Sequence, residues 1–313
     1  MTAAATTSVL GLTAALIWGA ADFSGGIAAR YLRVYWLLVI SHGCSLAALV
    51  LLAGLLSNPV PSAHILEWGL VSGFAGGSAL LAFYYALSLG DMGITAAITG
   101  LLTAALPVLF TLATIGAPSR RQMIGFVLAA GAIWLISSQP GQGGRAGQEA
   151  TKEQRKKLGL AIVAGLGFGL YLIALRQANG GGLLWPLAAS RVGSLVLALA
   201  GGLILSRDRF MVEAEPETHT PTLENPRPGQ WKNSLGRAKI GIALAILAGV
   251  CDTSGNFFFV AATRTGRLDV AAVLVSLYPA STILLAIWLL KERTTPRQAV
   301  GMATALVAVA LIS

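Results

Sequence analysis

GLVSGFAGG occupies residues 69–77, and 176 residues later AILAGVCDT occupies residues 245–253. In both stretches small residues recur at every fourth position, so they lie on one face of a helix. Small residues let two helix backbones approach closely inside a membrane, where no hydrophobic effect drives helices together. The two stretches therefore predict a pair of equivalent, tightly packed membrane helices.

The match between the two stretches continues along the chain. At the same offset of 176 residues, the matched pairs are Phe83 and Phe259, Ala86 and Ala262, Gly90 and Gly266, Arg121 and Arg297, Gln122 and Gln298, and Gly125 and Gly301. In the first helices the offset is 150, which sets Trp18 against Phe168. An offset held over three helices indicates a duplicated unit, and a polar insertion near residues 206–238 accounts for the change of offset.

The composition indicates that this chain is embedded in lipid. Of its 313 residues 55% are hydrophobic and 11% are charged, and the mean hydropathy is +0.73. A water-soluble core cannot hide so much apolar surface, so the sequence predicts an all-α integral membrane protein with ten transmembrane helices. The predicted spans are residues 8–28, 34–56, 66–89, 94–115, 122–138, 158–177, 183–205, 239–264, 268–290 and 297–312.

The predicted spans divide into five for each copy, and five is an odd number. A unit with an odd number of spans, followed by its copy, places the second copy upside down in the membrane. We therefore expect two inverted five-helix repeats, residues 1–138 and 158–313, joined by a flexible linker at residues 139–157. The second repeat contains the polar loop at residues 206–238.

Inverted repeats are typical of secondary transporters, which hold the substrate near the membrane midplane between the repeats. Such a molecule opens to either side by the same motion, which is alternating access. Passive channels and membrane-embedded enzymes also contain duplicated helices, and both remain alternatives. An enzyme needs a group of catalytic side chains, which His219 alone in the long loop does not supply, so no enzymatic activity is predicted.

Three sequence motifs resemble those of a known transporter family. They are ALIWG at residues 15–19, AFYYAL at residues 82–87 and LLKERT at residues 289–294, the last followed by Gln298 and Gly301. Their order resembles the EamA-like branch of the drug/metabolite transporter superfamily, and the resemblance covers nearly the whole chain. It implies a transporter fold and leaves the substrate open, because that superfamily moves amino acids, drugs, sugars and other metabolites.

The resemblance fails at one position of the first copy. That copy has GAPS at residues 116–119 where the second copy has ERTT at residues 292–295. The acidic residue that the resemblance implies after the fourth span is therefore missing, and any role of Glu292 is not duplicated.

Four ionisable residues lie inside the predicted spans: Asp22, His42, Arg191 and Asp252. A charge at the centre of a bilayer costs roughly 2.5–3.5 kcal/mol even on lenient scales, so such residues usually serve a function. From their depths along the helices we expect an Asp22/His42 cluster and an Arg191/Asp252 cluster, both flanking a central cavity.

Each of these residues has a functional and a structural interpretation. In the functional one, Asp22 or Asp252 binds and releases a proton during transport, and Arg191 accepts an anionic group such as a carboxylate. In the structural one, Arg191 and Asp252 form an ion pair that locks two helices, His42 is a hydrogen-bonded packing residue, and Asp22 is solvated near the interface.

Aromatic and polar residues are candidates for the cavity wall. They are Trp18, Tyr84, Tyr85, Tyr171, Tyr278, Ser254 and Asn256, although Trp and Tyr near span ends often form interfacial belts. Pro107 and Pro279 lie on the fourth and ninth predicted spans, where proline loosens a helix, so we expect these to be gating helices. Cys44 and Cys251 are interpreted as packing residues, and neither a metal site nor a cofactor is predicted.

The basic residues are unevenly distributed between the two membrane faces. Sixteen lie on the side opposite the N-terminus and five on the N-terminal side, so the positive-inside rule places both termini outside. The resemblance instead implies cytoplasmic termini. The basic residues that give the net charge of +9 flank the spans, next to an anionic leaflet. No nucleic-acid partner is therefore predicted.

Together these features predict a multi-pass protein of the cytoplasmic membrane that moves a small metabolite or drug-like solute. An amino-acid-like solute and proton-coupled efflux are the expected substrate class and mode. A phosphate-binding Gly-Lys-Ser/Thr loop is missing from the sequence, so direct driving by ATP is not supported. A monomer suffices for the inverted pair, and a homodimer is possible.

Overall fold

A computed structural model describes residues 3–88, 92–137, 148–178, 180, 182–205, 230–290 and 295–312 of the chain. Within these ranges the regular secondary structure is helical and no β-strand is present. The helices are α1 (Ala3–Ala28), α2 (Val34–Leu55), α3 (Ala63–Ser88), α4 (Met92–Thr114), α5 (Arg120–Ser137), α6 (Gln148–Gln177), α7 (Leu184–Leu205), α8 (Gln230–Thr265), α9 (Leu268–Val275), α10 (Tyr278–Leu290) and α11 (Pro296–Ile312).

Many of these helices have the composition of membrane spans. In the described ranges, six are long and apolar enough to cross a bilayer: α1, α2, α3, and parts of α6, α7 and α8. Three shorter apolar segments, Ile98–Thr114, Leu268–Ser281 and Ala299–Ile312, accompany them. The protein is therefore a helical membrane protein, as the composition predicts.

The ninth predicted span is two helices rather than one. α9 ends at Val275 and α10 begins at Tyr278, with Ser276 and Leu277 forming a turn between them. Pro279 has no N–H to donate to the carbonyl of Val275, four residues earlier, and its ring would collide with that carbonyl. The helix therefore breaks in the turn that precedes the proline.

Two segments predicted to be irregular are partly helical. α6 begins at Gln148, inside the predicted linker at residues 139–157, and α8 begins at Gln230, inside the predicted loop at residues 206–238. The start of α6, at residues 148–157, is rich in Lys, Arg, Glu and Gln, which have good helix propensity. The remainder of each segment, with His219, lies outside the described residues, as do Gly90 and Glu292.

The helices pack in a small set of pairs. α1 contacts α8, α9 and α10; α3 contacts α6 and α7; α2 contacts α7 and α8; α4 contacts α5, α6 and α9; and α5 contacts α11. The larger buried clusters lie between these pairs, and one of them is centred on Phe259, Leu172 and Leu187.

Two glycines of the opening stretches lie at the closest crossings. A Cβ atom at Gly73 would collide with the carbonyl oxygen of Ser190, so α3 crosses α7 in direct backbone contact. A Cβ at Gly249 would collide with the carbonyl oxygen of Ser41, where α8 crosses α2. The expectation that small residues mark tightly packed helices is therefore confirmed at both places.

Serine hydroxyls reinforce the same two crossings. Ser194 Oγ donates to the carbonyl oxygen of Gly73 at 2.9 Å, and Ser45 Oγ donates to the carbonyl oxygen of Gly249 at 3.0 Å. In each case the serine lies one helical turn after the serine that touches the glycine. The rotation of α2 against α8, and of α7 against α3, is thus fixed by matching contacts.

Candidate functional site

A buried polar cluster lies where α2, α7 and α8 meet. Arg191 Nη2 is 2.6 Å from Asp252 Oδ2, and Arg191 Nη1 is 3.2 Å from His42 Nε2. His42 and Arg191 are each 2% exposed, whereas the Asp252 side chain is 26% exposed. The cluster is therefore sealed on the side of His42 and Arg191 and open on the side of Asp252.

The glycine crossings position these three side chains. His42 directly follows Ser41, and Arg191 directly follows Ser190, so each leaves its helix beside a backbone contact. Asp252 lies three residues after Gly249, on the face of α8 that meets α2. His42 and Arg191 are buried beside these crossings, so the polar groups of the cluster must satisfy one another.

Further hydrogen bonds tie the cluster to α1 and α6. Asn256 Nδ2 donates to Asp252 Oδ2 at 3.3 Å, and the Tyr171 hydroxyl donates to Asn256 Oδ1 at 2.5 Å. Trp18 Nε1 donates to the backbone carbonyl of Asp252 at 3.2 Å. Five helices thus contribute side chains to one network, which fixes the orientation of the Asp252 carboxylate.

The clustering of the ionisable residues differs from the expectation. Arg191 and Asp252 are paired as predicted, but His42 joins them instead of Asp22. Among the described residues, nothing donates a hydrogen bond to the Asp22 carboxylate or forms an ion pair with it. Depth along the helices brought His42 and Asp22 to the same level, whereas the rotation of α2 turns His42 toward α7 and α8.

A cavity lies beside this network. Its lining residues are Trp18, Asp22, Leu80, Thr103, Phe168, Tyr171, Leu172, Asp252, Val275, Ser276 and Tyr278. The empty space between its walls, including the open mouth, is about 480 Å³. A few polar groups on otherwise apolar walls are typical of a site for a small organic molecule.

The structure sorts the predicted wall residues into three groups. Trp18, Tyr171 and Tyr278 line the cavity, and Asn256 lies behind the wall in the network. Tyr84 is buried with its hydroxyl against Gly25 and is not among the lining residues.

Two further predicted residues do not contribute to the wall. Tyr85 is 43% exposed and accepts a hydrogen bond from Lys156 Nζ at 2.8 Å, so it faces outward. Consecutive residues of a helix point about 100° apart, and therefore Tyr84 and Tyr85 cannot both face the interior. The Ser254 hydroxyl bonds the carbonyl of Val250 within its own helix.

Both predicted gating prolines lie close to the cavity along the chain. Ser276 and Tyr278, which flank the break before Pro279, are lining residues, and so is Thr103, one turn before Pro107 in α4. Pro107 is buried, and α4 continues through it without a break. Thr103, Ser276 and Phe168 were not predicted as wall residues, although the match of Phe168 to Trp18 was a signal for one of them.

A group of hydrogen bonds closes one end of the helix bundle. Arg267, in the turn between α8 and α9, donates through Nη2 to Asp269 Oδ2 and to the carbonyl oxygen of Gly116, each at 2.9 Å. We call Arg267, Asp269 and Gly116 the Arg267 latch. Hydrogen bonding to the buried Asp269 raises the pKa of Arg267, so Arg267 stays charged at every physiological pH. Nearby, Thr7 and Thr265 share a hydroxyl hydrogen bond of 2.9 Å.

Potential metal ligands are scattered in the part of the chain that the structure describes. No group of three or more His, Cys, Asp or Glu side chains there is arranged to hold a metal ion. Cys44 and Cys251 are both free thiols.

Comparison with known proteins gives one family and one solved fold. The family model described as "EamA-like transporter family" matches residues 155–313. A solved structure titled "Crystal structure of protein" is similar over 97% of this chain and 97% of its own, with a TM-score of 0.66 and 16% sequence identity. Such identity shows a shared fold alone. No curated protein matches the sequence.

Proposed function

Because the chain belongs to the EamA-like transporter family of the drug/metabolite transporter superfamily, we propose that it is a secondary transporter that carries a small solute by alternating access. Members of this family are transporters rather than enzymes. The observation that carries the proposal is the cavity at the centre of the bundle, whose wall contains two carboxylates of membrane helices, Asp22 and Asp252. Ionisable groups inside a membrane mark substrate and ion pathways.

The proposed architecture is a pair of inverted five-helix repeats. The helix pairs support it, because exchanging α1 with α6, α2 with α7, and α3 with α8 turns each of the most extensive contacts among these six helices into an observed contact. The α1–α8 pair becomes α6–α3, and the α2–α8 pair becomes α7–α3, while α2–α7 maps onto itself. The α5–α11 pair, formed by the last helices of the two proposed repeats, also maps onto itself. Such exchange is expected of two units related by a two-fold axis in the membrane plane.

Equivalent residues of the two proposed repeats meet at this axis. His42 and Arg191, separated by 149 residues, contact each other, and each follows a serine that touches a glycine of the other repeat. A rocking motion of one repeat against the other would turn about this crossing. The cavity beside it would then open first to one face of the membrane and then to the other.

The Arg267 latch is the proposed closed gate of the state described here. Arg267 belongs to the second proposed repeat and Gly116 to the first, so their hydrogen bond joins the two. The Thr7–Thr265 bond places this gate at the end where α1 begins. With the orientation given by the basic residues, the gate closes the extracellular side of a cytoplasmic membrane, and the proposed direction of transport is export. Protonation of Asp22 or Asp252 is the proposed coupling step.

Counterflow in liposomes tests the transporter assignment. Purified protein in liposomes preloaded with an unlabelled solute is expected to accumulate the labelled solute transiently, with saturation, and a pH gradient should accelerate the flux. The same liposomes containing Arg191→Ala protein serve as the matched control. Flux that rises linearly with concentration and shows no counterflow would identify a channel instead.

Removing the Arg267 latch should open the closed end. The double variant Arg267→Gln/Asp269→Asn removes the bridging guanidinium without leaving a buried carboxylate unpaired. Lost hydrogen bonds to charged groups are worth about 1.5–3 kcal/mol each, so the open population should rise roughly tenfold or more. The measurement is the rate at which an impermeant maleimide, added from the latch side, labels a Ser276→Cys reporter in a protein without other cysteines.

The control for this experiment is Arg264→Gln. Arg264 Nη2 also donates to a backbone carbonyl, that of Gly182 at 2.8 Å, but both residues belong to the second proposed repeat. Its substitution should leave the labelling rate near that of the parent protein. Equal labelling of the latch variant and the parent would show that the latch does not control access.

A further inference from the structure

We propose that the transported solute is an organic cation: a protonated or quaternary amine attached to an apolar or aromatic body. The inference rests on the proposed transport function and assigns a substrate class to the same cavity. It replaces the expectation from the sequence, in which Arg191 accepts the carboxylate of an amino-acid-like solute. The charges around the cavity and the chemistry of its walls carry the proposal.

Arg191 is not available to bind a substrate anion. Its guanidinium is 2% exposed, does not line the cavity, and already pairs with Asp252 at 2.6 Å and His42 at 3.2 Å. A third contact, from Nη2 to Thr253 Oγ1 at 3.4 Å, adds to this set. To reach a carboxylate in the cavity, Arg191 would have to leave Asp252 unpaired in the membrane interior, which is costly.

The carboxylate of Asp22, unlike the guanidinium of Arg191, is available to bind a substrate. Asp22 lines the cavity, and no described residue supplies a cation or a hydrogen-bond donor to it. The single guanidinium of Arg191 can balance only one of the two carboxylates, so whenever Asp22 and Asp252 are both ionised the site carries a net charge of −1. An anionic solute would face this excess charge without a counterion, whereas a cationic solute supplies the missing partner.

The walls add aromatic faces to this charge. Trp18, Phe168, Tyr171 and Tyr278 all line the cavity, and the electron-rich face of an aromatic ring attracts a cation. The remaining wall contains aliphatic side chains, among them Leu80 and Val275, which suit the apolar body of the same solute. Trp18 and Asp22 are separated by one turn of α1, so one helix face presents a ring and a carboxylate together.

A matched set of ligands tests the charge preference directly. Phenethylamine, 2-phenylethanol and 3-phenylpropionate share a ring and a short chain, and differ chiefly in being positive, neutral or negative at pH 7. The same three head groups on naphthyl and cyclohexyl bodies complete the panel. Binding to the purified full-length protein in lipid nanodiscs is measured by isothermal titration calorimetry, which needs no transport.

For at least one of the phenyl, naphthyl and cyclohexyl bodies, the amine is expected to bind about tenfold more tightly than the alcohol. The carboxylate is expected to bind more weakly than both. Asp22→Asn, which keeps the side-chain shape, should remove the advantage of the amine. Glu67→Gln, at an exposed carboxylate of α3, is the matched control and should leave it unchanged. Trp18→Leu should weaken amine binding several-fold more than alcohol binding.

Three results would overturn the assignment: tighter binding of the carboxylate, unchanged amine binding by Asp22→Asn, or no binding by any member of the panel. Counterflow of the same ligands in liposomes separates this inference from the transporter proposal. Saturable counterflow of the carboxylate would retain the transporter and reject the cation. Amine binding that depends on Asp22, without counterflow of any amine, would retain the cation site and reject transport.

Discussion

Replacing Arg191 with alanine is expected to abolish transport and to lower the free energy of unfolding by about 3 kcal/mol. The guanidinium is the direct ionic partner of Asp252 and also contacts His42, so its loss leaves a carboxylate unpaired in the membrane interior. The loss should be at the low end for a buried pair, because the Asp252 side chain is 26% exposed to the cavity. Counterflow measures the first effect, and chemical unfolding in detergent micelles measures the second.

A double variant separates the two roles of this pair. Arg191→Met/Asp252→Asn removes both charges, and replacing a whole ion pair is often nearly neutral for stability, so most of the lost stability should return. Transport should not return, since the Asp252 carboxylate of the cavity wall is gone. Arg30→Ala, at an exposed basic residue of the turn after α1, is the control and should alter neither property. Normal flux and normal expression of Arg191→Ala would contradict the proposed role.

Adding one methyl group at Gly73 or Gly249 is expected to destabilise the helix bundle by about 1–3 kcal/mol or to prevent its assembly. The new Cβ would meet the backbone carbonyl of Ser190 or of Ser41, and backbone cannot move aside as the end of a flexible side chain can. Thermal unfolding followed by circular dichroism, together with the monodisperse fraction after purification, measures the loss for Gly73→Ala and Gly249→Ala.

Two other glycines provide controls with the same chemical change. A Cβ at Gly43 in α2 or at Gly131 in α5 would have no atom within 4 Å. Gly43→Ala and Gly131→Ala should therefore keep or slightly raise the stability, since alanine is the better helix former. Equal destabilisation by all four substitutions would show that the two crossings are not special.

The sequence predicts well those features that depend on local composition. Spans are visible because about 20 consecutive apolar residues are needed to cross a bilayer, and the stretches at 69–77 and 245–253 show their packing face by periodicity. The helix break before Pro279 was harder to predict from the sequence. Pro107 and Pro279 read alike in the sequence, yet α4 continues and the ninth predicted span divides, because neighbouring helices decide whether a loosened helix stays whole.

The sequence identifies the residues of the candidate site more successfully than the contacts between them. Ionisable residues in a span are conspicuous because they are costly, so Asp22, His42, Arg191 and Asp252 could all be selected. Sequence gives the depth of a side chain but not the rotation of its helix. The rotation of α2 follows from Ser41 and Ser45 against α8, a contact between residues about 200 positions apart that no local pattern contains.

The contact between His42 and Arg191 has a consequence for the resting position of the proposed transporter. With two identical repeats, a two-fold rotation would convert the outward-facing state into the inward-facing state, and the two states would have equal free energy. Here corresponding positions carry an imidazole in one repeat and a guanidinium in the other, and the Asp252 that pairs with the guanidinium corresponds to Gly76. The outward-facing and inward-facing states therefore differ in free energy, and the molecule has a preferred side even when no gradient acts on it.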